Sequence, residues 1–139
     1  MDVKTTFLNG DLKENVLMSQ PKGFAVKGQE HKACKLVKSL YGLKQTPRAW
    51  YEKLTGHLLK LNFKHYDLDD ATLFVKKVGK TVIYLVVNVD ELLMIGNNER
   101  YISSIKTELR KGFEMIDLGY VHYHIGIEVT QHPKFIFLS

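Results

Sequence analysis

Residues Thr81 to Val87 read Thr-Val-Ile-Tyr-Leu-Val-Val, β-branched and apolar on both faces of an extended chain. Such a run predicts a central strand covered on both sides, so the rest of the chain must supply a sheet around it and layers over it. Leu73 to Val78 precedes it as a second strand, and Val78-Gly79-Lys80 turns the chain between them. Asp90 and Glu91 interrupt the apolar pattern, which resumes from Leu92 to Ile95. Two adjacent carboxylates then sit at the tip of a hairpin inside a core. Burying both is unfavourable unless something neutralises them. A divalent metal such as Mg²⁺ would do so. A solvent-exposed turn with two ordinary acids is the other reading, and from spacing alone it is the default.

The apolar residues Trp50, Leu54, Leu58 and Leu61 recur every three or four positions and predict a helix from Thr46, as its N-cap, to near Asn62, with Pro47 in the first turn. Asn97-Asn98 predicts the start of a second helix. Ile102, Ile105, Leu109 and Phe113 form its buried stripe, Glu99 lies in its first turn, Arg110 and Lys111 lie in its last, and Gly112 is its C-cap. From Val121 to Val129 apolar and polar residues alternate strictly, which predicts one half-buried strand. His132-Pro133-Lys134 then turns the chain toward a hairpin partner at Phe135 to Leu138. Residues 2 to 7 and 15 to 20 supply further strands. The order β(β)αββαβ(β) predicts an α+β sandwich, an antiparallel sheet with two main helices on one face. No linker or repeat divides the 139 residues, so a single domain, 1–139, is expected.

Composition excludes several classes. Apolar residues make up 45% and charged residues 25%, against a disordered tail or coiled coil. The apolar run Val82 to Val87 is too short to span a bilayer, and Asp2 and Lys4 leave no secretory apolar segment after Met1, so no membrane association and an intracellular location, cytoplasm or nucleus, are expected. One cysteine, Cys34, excludes an internal disulfide framework and reads as a small core residue. The net charge of +5 permits a polyanionic partner.

Four stretches carry a more specific signal. They are Met1-Asp2-Val3-Lys4-Thr5-Thr6-Phe7-Leu8-Asn9-Gly10-Asp11-Leu12, Lys38-Ser39-Leu40-Tyr41-Gly42-Leu43-Lys44-Gln45-Thr46-Pro47-Arg48-Ala49-Trp50-Tyr51, Asn88-Val89-Asp90-Glu91, and Asp117-Leu118-Gly119 onward through Ile125-Gly126-Ile127-Glu128-Val129. In order and spacing they resemble the blocks of Ty1/copia-type retrotransposon reverse transcriptases along essentially the whole chain, and fourteen matching residues from Lys38 to Tyr51 are far more specific than a short motif. The resemblance implies a polymerase palm, ancestrally an RNA-directed DNA polymerase of Mg²⁺-dependent, two-metal type with Mn²⁺ as a substitute. Carried over, Asp2, Asp90 and Glu91 are the catalytic acids. Asp2 and Asp90, with the Val3 carbonyl, are the metal ligands. Phe7 crowds the sugar 2′ position, and Gln45 touches the incoming nucleotide. An RNA or DNA primer–template and dNTPs are the implied partners.

Departures qualify that expectation. Glu91 stands where the family has a second aspartate, and its extra methylene moves the carboxylate in a site that tolerates about 0.5 Å. Asn88 replaces a tyrosine, and Tyr120 and His124 stand where Glu and Phe are frequent. No fingers segment precedes Asp2 and no thumb follows, as in a reading frame opened at an internal methionine. The chain alone is therefore expected to be inactive or nearly so. The alternative is a non-catalytic palm, co-opted as a nucleic-acid-binding or protein-interaction module with a partner covering its exposed surface. Lys32, Lys35, Lys38, Lys44 and Arg48, with Tyr41 and Trp50 interleaved, read as phosphate contacts or as a solvated face. Among these, Lys38, Lys44 and Arg48 are singled out as nucleic-acid contacts. His122, His124 and Glu128 share one face of the expected last strand, a weak metal signal against a plain solvated face. Asp67, Asp69 and Asp70 read as a solvated acidic turn.

Overall fold

A computed structural model describes residues 1–66, 72–132 and 134–139. Asp67, Asp69 and Asp70, and Pro133 of the last expected turn, lie outside the described residues. In chain order the elements are β1 (Asp2–Val3), a 3-10 turn (Thr6–Asn9), β2 (Leu17–Ser19), β3 (Ala33–Lys35), α1 (Thr46–Lys60), β4 (Lys64–His65), β5 (Leu73–Val78), β6 (Thr81–Asn88), β7 (Glu91–Gly96), α2 (Glu99–Gly112), β8 (Met115–Ile116), β9 (Tyr123–His124), β10 (Ile127–His132) and β11 (Phe135–Leu138). Among the described residues this is a mixed α and β chain with two main helices, and every strand pairing is antiparallel. It divides into two compact units, Thr5–Phe63 and the rest.

The larger unit holds a six-stranded sheet in the order β4-β5-β6-β7-β1-β8. The apolar run that anchors it is central, as expected, but its faces are not equivalent. Ile83, Leu85 and Val87 are buried, whereas Val82, Tyr84 and Val86 on the opposite face are only half-buried. Helix α2 packs against β7, with Ile105 and Leu109 buried. Gly96, the last residue of β7, lies under this packing. A Cβ there would run into Ile83 Cδ1 and meet the backbone Val82 O at 2.9 Å, so a larger residue would push the strand ends apart.

Asn97 and Asn98 divide the work at the start of α2. Asn98 Oδ1 accepts the Tyr101 N–H at 3.0 Å and caps the helix. Asn97 ties the loop back to the β5–β6 turn, donating to Lys80 O at 2.8 Å and accepting from Val82 N at 3.0 Å. The C-cap is Phe113, not Gly112, which stays helical. Phe113 is extended, and burial of its ring turns the chain into β8.

The expected single strand over Val121 to Val129 is instead a hairpin. Ile125 and Gly126 take φ of 48° and 81° and form a two-residue turn between β9 and β10. Positive φ at both turn positions matches the twist of antiparallel strands, and Gly126 is the residue that makes it accessible. The period-two pattern survives a two-residue turn, so it could not reveal the break. β11 completes this three-stranded sheet, ordered β11-β10-β9.

The smaller unit is built on α1. Trp50, Leu54 and Leu58 are buried as the periodicity predicts, and Leu61 lies just past the helix end. Thr46 is not the N-cap. That position is Gln45, and the Thr46 hydroxyl donates instead to Leu40 O at 2.6 Å. Gly10 lies against the start of this helix: a Cβ there would meet Ser39 Oγ at 2.7 Å and Trp50 N at 3.0 Å. The buried Ser39 hydroxyl donates to Phe7 O. Asp11 accepts from Lys38 at 2.5 Å and Lys53 at 2.6 Å, joining the approach to the helix with the helix itself.

Candidate functional site

Strand β1 lies between β7 and β8, and this places the acids. Met1 and Leu92 exchange two hydrogen bonds, each 2.8 Å, and the Val3 N–H donates to Asp90 O at 2.9 Å. Asp2, between them, is therefore opposite Glu91 as a non-hydrogen-bonded pair, with its own register on the other side to Ile116. Directly opposed residues of that kind present side chains on the same face, with Cα atoms about 4.5 Å apart. Two like charges in that position repel, so the ladder holds together a pair that favours a cation nearby. Asp90 is the second residue of the two-residue turn between β6 and β7. The hairpin and β1 thus bring the backbone of Asp2, Asp90 and Glu91 to one end of the sheet, although Asp90 and Glu91 lie 88 and 89 residues from Asp2 in sequence.

The acids are not inside a core. Asp2 and Asp90 are half-buried and Glu91 is exposed, so of the two readings of Asp90 and Glu91 the turn open to solvent, the default from spacing, agrees with the structure and the pair within an apolar interior does not. The two-residue turn lifts Asp90 out at the end of the sheet, and Glu91 occupies the first position of β7, outside the buried stretch at Leu92.

Glu91 has a neighbour that sequence reasoning did not connect to it. His124 Nδ1 of β9 lies 3.5 Å from Glu91 Oε2. No sequence spacing could signal a contact between strands of two different sheets. The same hairpin undoes the expected His122, His124 and Glu128 face. Glu128 pairs opposite Tyr123, and His124 pairs opposite Ile127, so Glu128 and His124 point to opposite faces.

The other expected site residues lie in the smaller unit. Phe7 is in the 3-10 turn, its ring 4.5 Å from Tyr41 at a 59° tilt. Gln45 lines an open cavity of about 250 Å³ with Asp11, Glu14, Arg48 and Glu52 among its walls. Lys38 is bonded to Asp11, and Arg48 Nε to Glu52 at 2.9 Å. The two lysine bonds, Lys38 first and Lys53 second, hold the Asp11 carboxyl down to about 2. Lys44 is exposed. Trp50 is buried in the core, whereas Tyr41 is exposed.

The match to known proteins is decisive for the family. The profile of the reverse transcriptase (RNA-dependent DNA polymerase) family covers residues 1–139, the whole chain. The chain belongs to the reverse transcriptase family. It is similar to the Retrovirus-related Pol polyprotein from transposon RE1 of Arabidopsis thaliana, 41% identical over the whole chain and 9% of that protein. It is 40% identical to the Retrovirus-related Pol polyprotein from transposon TNT 1-94 of Nicotiana tabacum, over 94% of the chain and 10% of that protein. A putative transposon Ty5-1 protein of Saccharomyces cerevisiae is 33% identical over 94% of the chain and 42% of its own length. The chain therefore spans about a tenth of the plant polyproteins it matches. No solved structure matches it. Among the described residues no helix is long and apolar enough to cross a membrane.

For a reverse transcriptase, the acids can be tested against the ion that the family implies. Asp2, Asp90 and Glu91 are hard oxygen donors on adjoining backbone segments, the right chemistry for Mg²⁺. Among the described residues, however, no three His, Cys, Asp or Glu side chains converge as a metal-holding group. The arrangement fits an ion held by one or two carboxylates and completed by substrate phosphates and water, not an all-protein cage.

Proposed function

We propose that this chain is a polymerase palm segment of a retrotransposon Pol polyprotein, that Asp2 and Asp90 hold a divalent ion for RNA-directed DNA synthesis, and that the 139 residues alone are inactive or nearly so. The close register of Asp2 with Glu91, beside the turn carrying Asp90, is the observation that supports this reading. Mg²⁺, or Mn²⁺ in its place, would activate the primer 3′ hydroxyl and stabilise the departing pyrophosphate.

The chain's own residues have distinct tasks. Asp2 and Asp90 supply oxygen donors from a strand and a turn that the backbone ladder holds in register, with the Val3 carbonyl assisting. Phe7 excludes a 2′ hydroxyl by bulk, and its contact with Tyr41 limits its rotation. Gln45 meets the incoming nucleotide beside Lys38, Lys44 and Arg48, which face phosphates. Glu91 is the weak member. Its longer side chain reaches toward His124, and an ångström of misplacement at such a centre costs about 10²-fold in rate.

Two measurements test the proposal. Mn²⁺ added to the labelled chain should broaden the NMR signals of Asp2, Val3 and Asp90 first, and Asp90→Asn should abolish that selectivity. Uniform broadening, or none, overturns the metal assignment. Primer extension on poly(rA)–oligo(dT) should stay near background in Mg²⁺ and in Mn²⁺. Robust extension that Asp2→Asn or Asp90→Asn removes overturns the inactivity.

A further inference from the structure

The thirteen residues between β2 and β3 form a connection with an internal clasp. Gln20 Nε2 donates to Gln29 O at 2.6 Å and to Lys32 O at 3.0 Å, and Gln20 Oε1 accepts the Val26 N–H at 2.8 Å. Around this one amide the backbone makes three successive turns. Phe24 N bonds to Pro21 O, Gln29 N to Val26 O, and Lys32 N to Gln29 O, each at 2.9 Å. Gly23 and Gly28 take φ of 86° and 81° within them. A loop tied to its own centre turns its remaining side chains outward.

Those side chains have a definite chemistry. Lys22, Lys27 and Lys32 are all exposed, and among the described residues no carboxylate pairs with them. The Phe24 ring is 81% exposed, the most exposed of the large apolar side chains described. The one acid of the loop, Glu30, accepts the Gly28 N–H at 2.9 Å and is occupied there. The charge is also unevenly placed along the chain. Thr5–Phe63 carries ten Lys and Arg against four Asp and Glu, a net of +6, whereas the remainder carries ten against eleven.

Unpaired cations around a bare aromatic ring, on backbone already ordered, match a single strand of nucleic acid. Phosphates take the cations, an unstacked base takes the ring, and little ordering entropy is lost on binding. A folded protein surface would leave three desolvated lysines to be paired, and a duplex keeps its base faces stacked inside.

We infer that the Gln20-clasped loop is a contact for single-stranded nucleic acid, with Lys22, Lys27 and Lys32 on phosphates and Phe24 stacked on a base. The inference rests on the polymerase reading above for its ligand class, but it concerns residues apart from the carboxylate site.

Fluorescence anisotropy of labelled oligo(rA) with the full 139-residue chain, over a range of KCl concentrations, tests it. Replacing Lys22, Lys27 and Lys32 together by Ala should flatten the plot of log affinity against log salt by about 2, at about 0.7 per phosphate contact on a single strand. Phe24→Ala should weaken binding by about 5- to 100-fold and leave that slope unchanged. Lys80→Ala, in the β5–β6 turn, should bind as the parent does. Wild-type affinity and slope in the triple variant overturn the inference, as does an unaffected Phe24→Ala. If the parent binds no oligonucleotide, the loop inference falls, and the Mn²⁺ titration alone decides the polymerase reading. Mn²⁺ broadening at Asp90 without any loop effect leaves that reading standing and removes only the loop.

Discussion

Val89 holds a φ of 54° in the turn that carries Asp90. A β-branched residue is strained in that region, where L-residues lose about 1–2 kcal/mol relative to ordinary backbone. The two-residue connection between β6 and β7 forces it, because strand twist demands positive φ at the first turn position. Asparagine tolerates the same conformation. Val89→Asn is therefore expected to stabilise the chain by about 0.5–1 kcal/mol in urea denaturation, since the Val89 side chain is half exposed and gives up little burial. A loss of stability would mean that the turn is not strained. The strain lies beside a proposed ligand, and such sites concentrate at functional turns. At the same scale, the Glu91 carboxylate lies 3.5 Å from His124 Nδ1. Glu91→Asp is expected to tighten Mn²⁺ binding, read by the same NMR titration, with unchanged or weaker binding as the contrary outcome.

Among the elements, α2 and its approach are the best specified. Capping at Asn98, acidic Glu99 in the first turn, and Arg110 with Lys111 in the last all agree with the helix dipole. Asn98→Ala removes the acceptor for the Tyr101 N–H and should lower stability by about 1 kcal/mol, checked by thermal denaturation. A change within experimental scatter would place the helix start elsewhere. The end of α2 is also tied down. Asp117 accepts from Lys106 at 2.8 Å and lies 3.6 Å from Arg110, which holds the exit of β8 against the helix. β8 is the outer neighbour of β1, so this ion pair supports the strand that carries Asp2. The tail shows the opposite case. Its alternation was legible, but its direction was not, because a two-residue turn preserves the period while reversing the chain.

At the scale of the molecule, acid is the condition that should loosen both units. Hydrogen bonds from Lys38 and Lys53 hold Asp11 at about 2, and Lys106 first holds Asp117 below its ordinary value. Both carboxyls ionise more readily folded than unfolded. Their stabilisation is therefore complete above pH of about 4, and for Asp11 it is lost as pH falls toward about 2. The Asp11 pair is largely exposed, so the effect should be modest and weaker in high salt. Denaturation midpoints measured between about pH 5 and about pH 2 should fall less for Asp11→Asn than for the parent. Equal slopes would remove the ion pairs from the stability of the fold. Local sequence was sufficient for the two helices and the β5–β6–β7 meander, because periodicity and turn residues act over neighbouring positions. Only the tertiary structure decided that β1 inserts between β7 and β8, that Asp2 therefore opposes Glu91, and that His124 reaches Glu91. Those are pairings between strands far apart in the chain, and backbone hydrogen bonding across such distances leaves no periodic trace in the residues that make it.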